Sequence, residues 1–199
     1  MRTWLHLGFV VLCAVFTSCA SYGPIRNMEA LPKGSSLASI EAGKAQIVCV
    51  RPRGPAPGIK ASVFEIVDEK PVLIGISASG TRFAHAVAPG QHLFMVVSEA
   101  ADFLSADVEA GKTYYMRVVP RMGAWKARFS LDAVGAAECC SKRFESQLED
   151  CRPVAMNGDS EKWASENMSS VLTKYAGYYP KWMEKRDSAR PHLATSDGR

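Results

Sequence analysis

Cysteine thiols are the side chains of this 199-residue chain that offer the most chemistry. A thiol can carry a lipid, form a disulfide, bind a metal ion or act as a nucleophile, and its surroundings decide which. The compartment matters first, because disulfides persist in oxidising compartments. The six cysteines are Cys13, Cys19, Cys49, Cys139, Cys140 and Cys151.

The segment that ends at Cys19 predicts export. Arg2 supplies a positive charge, and a mostly apolar run from Leu5 to Phe16 follows it. As a helix this run would rise about 18 Å, which is too short for a hydrocarbon core of about 30 Å. We therefore expect a cleaved signal peptide over residues 1–18 rather than a membrane-spanning helix.

Phe16, Thr17, Ser18 and Cys19 resemble the lipobox of bacterial lipoproteins, with Phe16 standing where leucine is usual. The resemblance implies that Cys19 is acylated and that the mature protein is anchored to a membrane of the cell envelope, most simply the periplasmic face of the outer membrane. Two alternatives remain open. Cleavage after Ala20 would release the chain into the periplasm, since Ser18-Cys19-Ala20 also has a small-x-small pattern, and an uncleaved N-terminus would keep it in the cytosol.

Export would allow Cys49, Cys139, Cys140 and Cys151 to oxidise. Apolar residues at three- and four-residue spacing from Ala137 to Cys151 predict one helix through this region. Cys140 and Cys151 would then lie about 16 Å apart along its axis, whereas a disulfide requires Cα atoms within about 7 Å. We therefore expect a bridge from Cys49 to one of the other three, with four reduced, buried thiols as the alternative.

Signatures of catalysis are weak. Ser77 lies in a Gly-flanked stretch that lacks the glycine and the helix that follow the serine of a nucleophile elbow. His85 and His92 lie inside strand patterns, so we expect packed or surface histidines rather than general bases. The sequence predicts no catalytic residue.

Metal and cofactor sites are not predicted either. The carboxylates of Asp102, Asp107 and Glu109 match no calcium-binding loop, and we expect them on the surface. The cysteines lack the C-x-x-C spacing of structural zinc sites, and no glycine-rich phosphate loop is present.

The formal net charge of +4 is spread along the chain. Binding of nucleic acid would need a basic stripe with interleaved aromatic residues. The nearest candidate, Arg51 and Arg53 with Lys60, surrounds a Pro/Gly loop that we expect to be solvated. No nucleic-acid partner is predicted.

The elements that must position these residues are mainly strands. Between residues 44 and 134 hydrophobicity alternates with a period of two, and turn residues recur every 8 to 12 residues. This pattern predicts a β-sandwich of about seven or eight strands, the last running from Trp125 to Asp132. We expect Tyr114 or Tyr115 to bury its ring and to fix a neighbouring strand connection through its hydroxyl, as tyrosine corners do.

A helical C-terminal extension is predicted over residues 135–187. Its first helix would run from Ala136 to Glu149, and its second would be capped by Asp159 and end at Gly177. Pro180 could open a further short helix.

The segments that flank these elements are irregular in sequence. Residues 19–43, rich in Ser, Gly and Pro, predict the lipidated Cys19 followed by a flexible tether, and residues 188–199 predict a disordered tail. The helical segment from Trp163 to Trp182 is rich in aromatic residues, which predicts packing on the sandwich or, alternatively, an exposed surface for a partner or a glycan. These residues are Trp163, Tyr175, Tyr178, Tyr179 and Trp182.

Three motifs within residues 44–134 resemble the DUF2846 family of bacterial lipoproteins. They are Val50-Arg51-Pro52, the A-P-G-Q-H turn that begins at Ala88 and the E-A-G-K-T-Y-Y strand entry that begins at Glu109. The resemblance implies an Ig-like or transthyretin-like sandwich and a lipoprotein address. Similar turns occur in PEGA and carboxypeptidase-regulatory sandwiches, and no active site can be transferred.

Together these observations predict a non-catalytic, lipid-anchored envelope protein that acts as a binding or structural module. Its partner would be another envelope protein, peptidoglycan or lipid. One alternative is a small-ligand or glycan-binding module that uses the C-terminal aromatic residues. The other is an envelope hydrolase that brings Ser77 or Cys49 to a histidine and a carboxylate.

Overall fold

The computed structural model of the chain describes residues 27–32, 35, 39–121 and 128–199, and these residues form a mainly β structure with two sheets and a long C-terminal helix. This confirms the predicted β-sandwich with C-terminal helices. No helix within those ranges is long and apolar enough to cross a bilayer. The predicted signal peptide, Cys19 and the start of the last predicted strand lie outside the described residues.

Eight strands of seven to nine residues correspond to the eight predicted from alternation, and three short strands join them. The strands are β1 (Glu29–Ala30), β2 (Ala45–Arg51), β3 (Ala61–Val67), β4 (Lys70–Ser77), β5 (Thr81–Val87), β6 (Gly90–Val97), β7 (Ala101–Val108), β8 (Thr113–Arg121), β9 (Arg128–Val134), β10 (Arg152–Ala155) and β11 (His192–Leu193). The helices are α1 (Ala136–Cys139), α2 (Lys142–Asp150) and α3 (Gly158–Met183).

One sheet has the order β1-β10-β5-β2-β8-β9, and the other has the order β11-β7-β6-β3-β4. Alternation along β2 sorts its side chains between two faces. Ile47 and Cys49 join the core between the sheets, whereas Val48 and Val50 face the opposite side, where α1 and α2 pack. The six-stranded sheet is therefore apolar on both faces.

The prediction of one continuous helix from Ala136 to Glu149 is wrong. Two helices, α1 and α2, take its place, because Ser141 is the N-cap of α2 and accepts a hydrogen bond from the backbone N–H of Phe144 at 3.2 Å. A serine at a cap position favours a helix start over helix continuation.

The second helix begins earlier and ends later than predicted. Asn157, not Asp159, is its N-cap, and Asn157 forms a reciprocal capping box with Ser160. α3 then continues through Gly177 and Pro180 to Met183. Pro180 donates no backbone hydrogen bond within the helix, and the rings of Tyr179 and Trp182 on either side of it pack against Phe103.

Part of the predicted tether is held on the sandwich. Glu29 and Ala30 pair with β10, and the Met28 side chain is buried. The Ser160 hydroxyl donates to the carbonyl oxygen of Asn27, which links this segment to the start of α3. Flexibility expected from composition is lost here because the segment completes a sheet edge.

The prediction of a disordered tail over residues 188–199 is wrong. His192 and Leu193 pair in parallel with β7, and Leu193 is fully buried. The backbone groups of Arg199 and Thr113 exchange hydrogen bonds of 3.0 and 2.7 Å. A single buried leucine and these backbone bonds order a segment whose polar composition suggested disorder.

Arg51 also differs from expectation, since it is buried rather than part of a solvated loop. Its guanidinium donates to the carbonyl oxygens of Ile59, Ser77 and Ala56 at 2.7, 3.3 and 2.8 Å and lies over the ring of Phe129. Burial lowers the pKa of Arg51 to about 10, so it stays protonated at neutral pH. Arg51 thus organises the Pro/Gly loop from within.

The predicted tyrosine corner is confirmed at Tyr114. Its ring is fully buried, and its hydroxyl accepts a hydrogen bond from the backbone N–H of Glu109 at 3.0 Å. The same hydroxyl donates to the carbonyl oxygen of Thr195 at 3.3 Å, so this residue also fixes the C-terminal segment.

Candidate functional site

A cavity of about 620 Å³ lies between the C-terminal half of α3, strands β6 and β7, and the C-terminal segment. Its volume is in the range of small-molecule sites. We call it the aromatic groove, and it is defined here by Gln91, Leu93, Ser105, Tyr175, Tyr179 and Trp182.

The floor of the aromatic groove comes from alternate positions on two neighbouring strands. Residues two apart on a strand share a face, which places Gln91 with Leu93 and Ser105 with Asp107. Leu93 pairs with Ser105 in the antiparallel ladder, so the four residues form one patch. This floor combines an apolar centre with hydrogen-bonding groups.

One wall of the groove is aromatic. Tyr175, Tyr179 and Trp182 are spaced by four and three residues and therefore lie on one face of α3. The Tyr175 and Tyr179 rings stack at 5.3 Å, and all three rings contact Phe103 of β7 at centroid distances of 5.3 to 6.1 Å. The helix therefore packs on the sandwich, while the two tyrosines stay half-buried at the groove.

The opposite wall comes from the segment predicted to be disordered. The Arg190 guanidinium lies over the Trp182 ring and donates to the Asp187 carboxylate. The His192 imidazole lies 3.0 Å from Ser105 Oγ and 3.4 Å from Asp107 Oδ2. Arg190 and Asp187 are thus paired, whereas Asp107 faces a histidine that is charged only when protonated, and the carboxylate of Glu69 also lines the groove.

The indole nitrogen of Trp182 is one of four buried side-chain polar atoms in the described ranges that have no hydrogen-bond partner; the others are Arg82 Nε, Arg117 Nε and Gln147 Oε1. Trp182 is 5% exposed, and its Nε1–H is buried without a hydrogen-bond partner in the described part of the chain. Buried donors are normally satisfied, and an unsatisfied one costs about 1–3 kcal/mol. The nitrogen has no accessible surface in this conformation, so Trp182 contributes its ring to the groove.

A second cluster adjoins the groove through His92. Glu65, on β3, faces inward, and its Oε1 lies 2.6 Å from His92 Nδ1 while its Oε2 lies 2.7 Å from His85 Nε2. His92 Nε2 also lies 2.8 Å from the carbonyl oxygen of Ala88. His85 is on β5 of the other sheet, so Glu65 joins the two sheets.

Electrostatics explain why this carboxylate is ionised. Burial alone would raise the pKa of Glu65, but the hydrogen bonds and charges of His85 and His92 outweigh burial and hold that pKa at about 2. The hydrogen bond with Glu65 raises the pKa of His92 against the opposing effect of burial. Sequence reasoning missed Glu65, although a carboxylate two positions after Val63, and therefore on the same face of β3, was a signal.

The two predicted nucleophile candidates lie elsewhere. Ser77 is 1% exposed at the end of β4, and Cys49 lies in the core between the sheets. Neither lines the aromatic groove. His92 is the histidine that the structure brings to the groove from the predicted pair, and neither nucleophile accompanies it.

The predicted surface carboxylates form ion pairs. Asp102 lies 3.3 Å from Lys185 Nζ, and Glu109 lies 2.5 Å from Lys112 Nζ. Asp107 pairs with His192 in the groove, a role that its sequence context did not indicate. No group of three or more His, Cys, Asp or Glu side chains in the described ranges is arranged to hold a metal ion.

The predicted bridge from Cys49 is wrong. Cys49 faces the core between the sheets, whereas Cys139 and Cys151 lie in the cluster on the opposite face of the six-stranded sheet. All four described cysteines are free thiols, and Cys140 is exposed. The alternation of β2 separates these thiols, since one residue of shift reverses the face.

Comparison with known proteins adds no relative. The sequence matches no protein-family model and no curated protein. The resemblance to the DUF2846 family therefore stays a prediction.

Proposed function

We propose that this protein is a non-catalytic binding module of the bacterial cell envelope, held at the outer membrane by acyl chains on Cys19. The observation that carries the proposal is the aromatic groove, a concave site built jointly by α3, two strands and the C-terminal segment. Concave sites with an apolar lining and a few placed polar groups are the usual form of binding sites.

The hydrogen-bond partners of the polar side chains support a binding role over a hydrolase. A hydrolase would need a nucleophile within hydrogen-bond reach of a base. Glu65 is shared by two imidazoles, and the second nitrogen of His92 is bonded to a backbone carbonyl. Cys49 and Ser77 are buried away from the groove. These groups stabilise the sandwich.

The N-terminal geometry limits where the module would act. Between Cys19 and Asn27 there are eight residue steps, which span at most about 29 Å when fully extended. Met28 and β1 are already fixed on the body. A lipid on Cys19 would therefore hold the groove close to the membrane, where membrane lipids, envelope proteins and peptidoglycan are within reach.

Metabolic labelling tests the address. Cells that express the full chain are fed an alkyne fatty acid, and the protein is then coupled to a fluorophore. We expect labelled wild type in the outer-membrane fraction and no label on Cys19→Ala, with Cys140→Ala as the matched control that keeps its label. An unlabelled wild type would contradict the anchor.

Site-specific crosslinking in intact cells tests binding. A photoreactive residue at Gln91 lies on the groove floor, and one at Arg128 is exposed on β9 of the other sheet. We expect capture of a defined species from position 91 and not from position 128. Equal capture from both positions, or none from either, would overturn the proposed binding role of this groove.

A further inference from the structure

We infer that a second cavity, at the N-terminal part of α3, binds a phosphate group. This cavity has a volume of about 200 Å³ and shares no described lining residue with the aromatic groove. We call it the lysine–serine cavity, and it is defined here by Lys60, Ser62, Ser98, Asn167, Ser170 and Lys174. The inference goes beyond the proposed function, because it assigns a ligand class to a different site.

Helix α3 supplies one wall of the lysine–serine cavity. Trp163, Asn167, Ser170 and Lys174 are spaced by four, three and four residues and therefore lie on one face of the helix. Lys174 Nζ lies 3.3 Å from Ser170 Oγ, and the Asn167 amide donates to the carbonyl oxygen of Trp163 at 2.8 Å. An asparagine amide carries two N–H groups, so this bond leaves one donor of Asn167 for a ligand.

Ser62 is the centre of the opposite wall. It pairs with Val97 of β6 on one side and with Ile76 of β4 on the other, so these three residues form one row across the sheet. Glu65 reaches the other sheet, and Ser62, three positions earlier on β3, therefore faces α3. The row is thus apolar except for one hydroxyl at its centre.

That hydroxyl lacks a partner within the protein. Ser62 is 5% exposed, and its side chain makes no hydrogen bond within the described ranges. Buried hydroxyl groups are normally satisfied, because an unmade hydrogen bond is unfavourable. A serine hydroxyl rotates to suit its acceptor, so an oxygen atom bound in the cavity would satisfy it.

The charged groups of the lysine–serine cavity are positive. Lys60 and Lys174 are both half-buried, and no aspartate or glutamate among the described residues lines the cavity. Lys60 comes directly before β3, so the sheet and the helix each bring one ammonium group to the cavity. A bound anion would attract both ammonium groups, and partial burial strengthens that attraction.

Phosphate suits these groups better than a carboxylate does. The cavity offers donors from two ammonium groups, the Ser62 hydroxyl and the Asn167 amide. A carboxylate has two acceptor oxygens, whereas a phosphate monoester has three, and lysine is a common phosphate-binding residue. The volume of about 200 Å³ leaves room for a short substituent on the phosphate but is small for a drug-sized ligand.

The phosphate could come from a soluble phosphate ester or from a phospholipid headgroup. Asn27 also lines the cavity, eight residue steps after Cys19. With the proposed lipid on Cys19, the cavity would lie within about 29 Å of the acylated residue. Headgroups would then be within reach, whereas binding of a soluble ester does not depend on the anchor.

Calorimetric titration of the full chain in an uncharged detergent at constant ionic strength tests this inference. The probes are inorganic phosphate, glycerol phosphate and glycerophosphoglycerol, which is the headgroup of phosphatidylglycerol without its acyl chains. We expect at least one of them to bind with a dissociation constant below about 1 mM, and glycerol, the uncharged control, not to bind. Tighter binding of the diester indicates a lipid headgroup, and tighter binding of the other two indicates a soluble source.

Three variants locate the site. Lys174→Ala is expected to weaken binding about tenfold and Ser62→Ala about fivefold. Lys162→Ala is the matched control, because Lys162 is an exposed lysine of the same helix that does not line the cavity. If Lys174→Ala fails to fold, Ser62→Ala decides. No binding of any phosphate probe, unchanged affinity in Lys174→Ala or Ser62→Ala, or an equal loss in Lys162→Ala overturns the inference.

Urea unfolding separates a ligand role of Ser62 from a structural role. Without phosphate, Ser62→Ala should unfold at the wild-type urea concentration or above it, since the hydroxyl makes no bond that folding needs. Added phosphate should stabilise the wild type more than Ser62→Ala. Equal stabilisation of the two proteins overturns the inference. Capture from position 91 reports on the aromatic groove, so the proposed function and this inference fail independently.

Discussion

The carboxylate of Glu65 and the imidazole of His92 are joined by a hydrogen bond of 2.6 Å between Oε1 and Nδ1. The other oxygen of Glu65 reaches His85 of the facing sheet at 2.7 Å. One carboxylate thus connects β3, β5 and β6, and it lies directly behind the groove that His92 lines. This bridge should be visible in the pH dependence of stability.

Glu65→Gln is expected to lower the free energy of unfolding at pH 7 by about 2 kcal/mol, because charge-assisted hydrogen bonds to two imidazoles are lost. Folding lowers the pKa of Glu65 to about 2 from an ordinary value of 4.5. The part of the stabilisation that depends on ionised Glu65 is therefore full above about pH 4.5 and lost as the pH falls towards 2. The part that depends on protonated His92 is lost as the pH rises through the raised pKa of His92. Urea unfolding between pH 2.5 and 7 measures both effects.

The wild type should lose more stability than Glu65→Gln across that acid range. Asp132→Asn is the control, since Asp132 pairs with Arg121 at the surface, where such pairs contribute about 0–1 kcal/mol. Parallel pH profiles for the wild type and Glu65→Gln would contradict the bridge.

Arg51→Met is expected to lower the free energy of unfolding by about 3 kcal/mol, because it leaves the carbonyl oxygens of Ile59, Ser77 and Ala56 without their donor. Arg51→Lys keeps the charge but cannot make all three bonds, so it should lose less. Thermal and urea unfolding measure which of the two variants loses more stability. Arg128→Met, at an exposed position, should change the free energy by less than about 0.5 kcal/mol. Equal losses in Arg51→Met and Arg128→Met would exclude the buried role of Arg51.

The strands were predictable because their signals are local. Alternation and turn residues lie within each strand or beside it, as at the β3–β4 hairpin, where Asp68 and Glu69 both have positive φ. The tyrosine corner was predictable for the same reason, since Tyr114 bonds a residue five positions away.

The candidate site was only partly predictable because its parts meet over long distances in the chain. The aromatic wall follows from helical spacing, but Ser105 and His192 are 87 positions apart. Glu65 and its histidines are 20 and 27 positions apart, and a single sequence does not indicate which partner a buried charge chooses. The tail was misread because Leu193 is one apolar residue within a polar segment, and its burial depends on β7.

Gly75→Ala is expected to destabilise the sandwich by about 2–3 kcal/mol. An added Cβ would lie 2.5 Å from the Phe83 ring, so the two facing strands must separate. Chemical denaturation of Gly75→Ala, Phe83→Leu and the double variant measures the effect, and the smaller side chain should relieve part of the loss. Gly54→Ala is the control, because an added Cβ there has no atom within 4 Å. A neutral Gly75→Ala would contradict this close approach.

Cys140 is expected to be the fastest-reacting of the four described thiols. Burial raises the pKa of Cys151 to about 11 and raises the pKa values of Cys49 and Cys139, which lowers the thiolate fraction of all three at neutral pH. Maleimide labelling followed by peptide mass mapping should modify Cys140 alone among these four thiols in the native protein and all four in urea. Cys140→Ser should abolish native labelling. A crosslinked peptide containing Cys49 before reduction would contradict the separation of the thiols by the sheet.

Leu193→Ala tests whether the C-terminal segment belongs to the fold and to the groove. Leu193 is fully buried beside β7, so removal of its side chain should cost about 2–4 kcal/mol. The Ser105 amide, which donates to Pro191 O at 3.1 Å, should then exchange its hydrogen faster. Ser196→Ala, at an exposed position of the same segment, should change neither property.

The same variant separates two roles of the segment, since Arg190 and His192 form a groove wall only while Leu193 holds them in place. A loosened segment should reduce capture by a photoreactive residue at position 91 in Leu193→Ala, and Ser196→Ala should leave that capture unchanged. Slow Ser105 exchange and full stability in Leu193→Ala would instead show that this wall does not depend on the buried leucine.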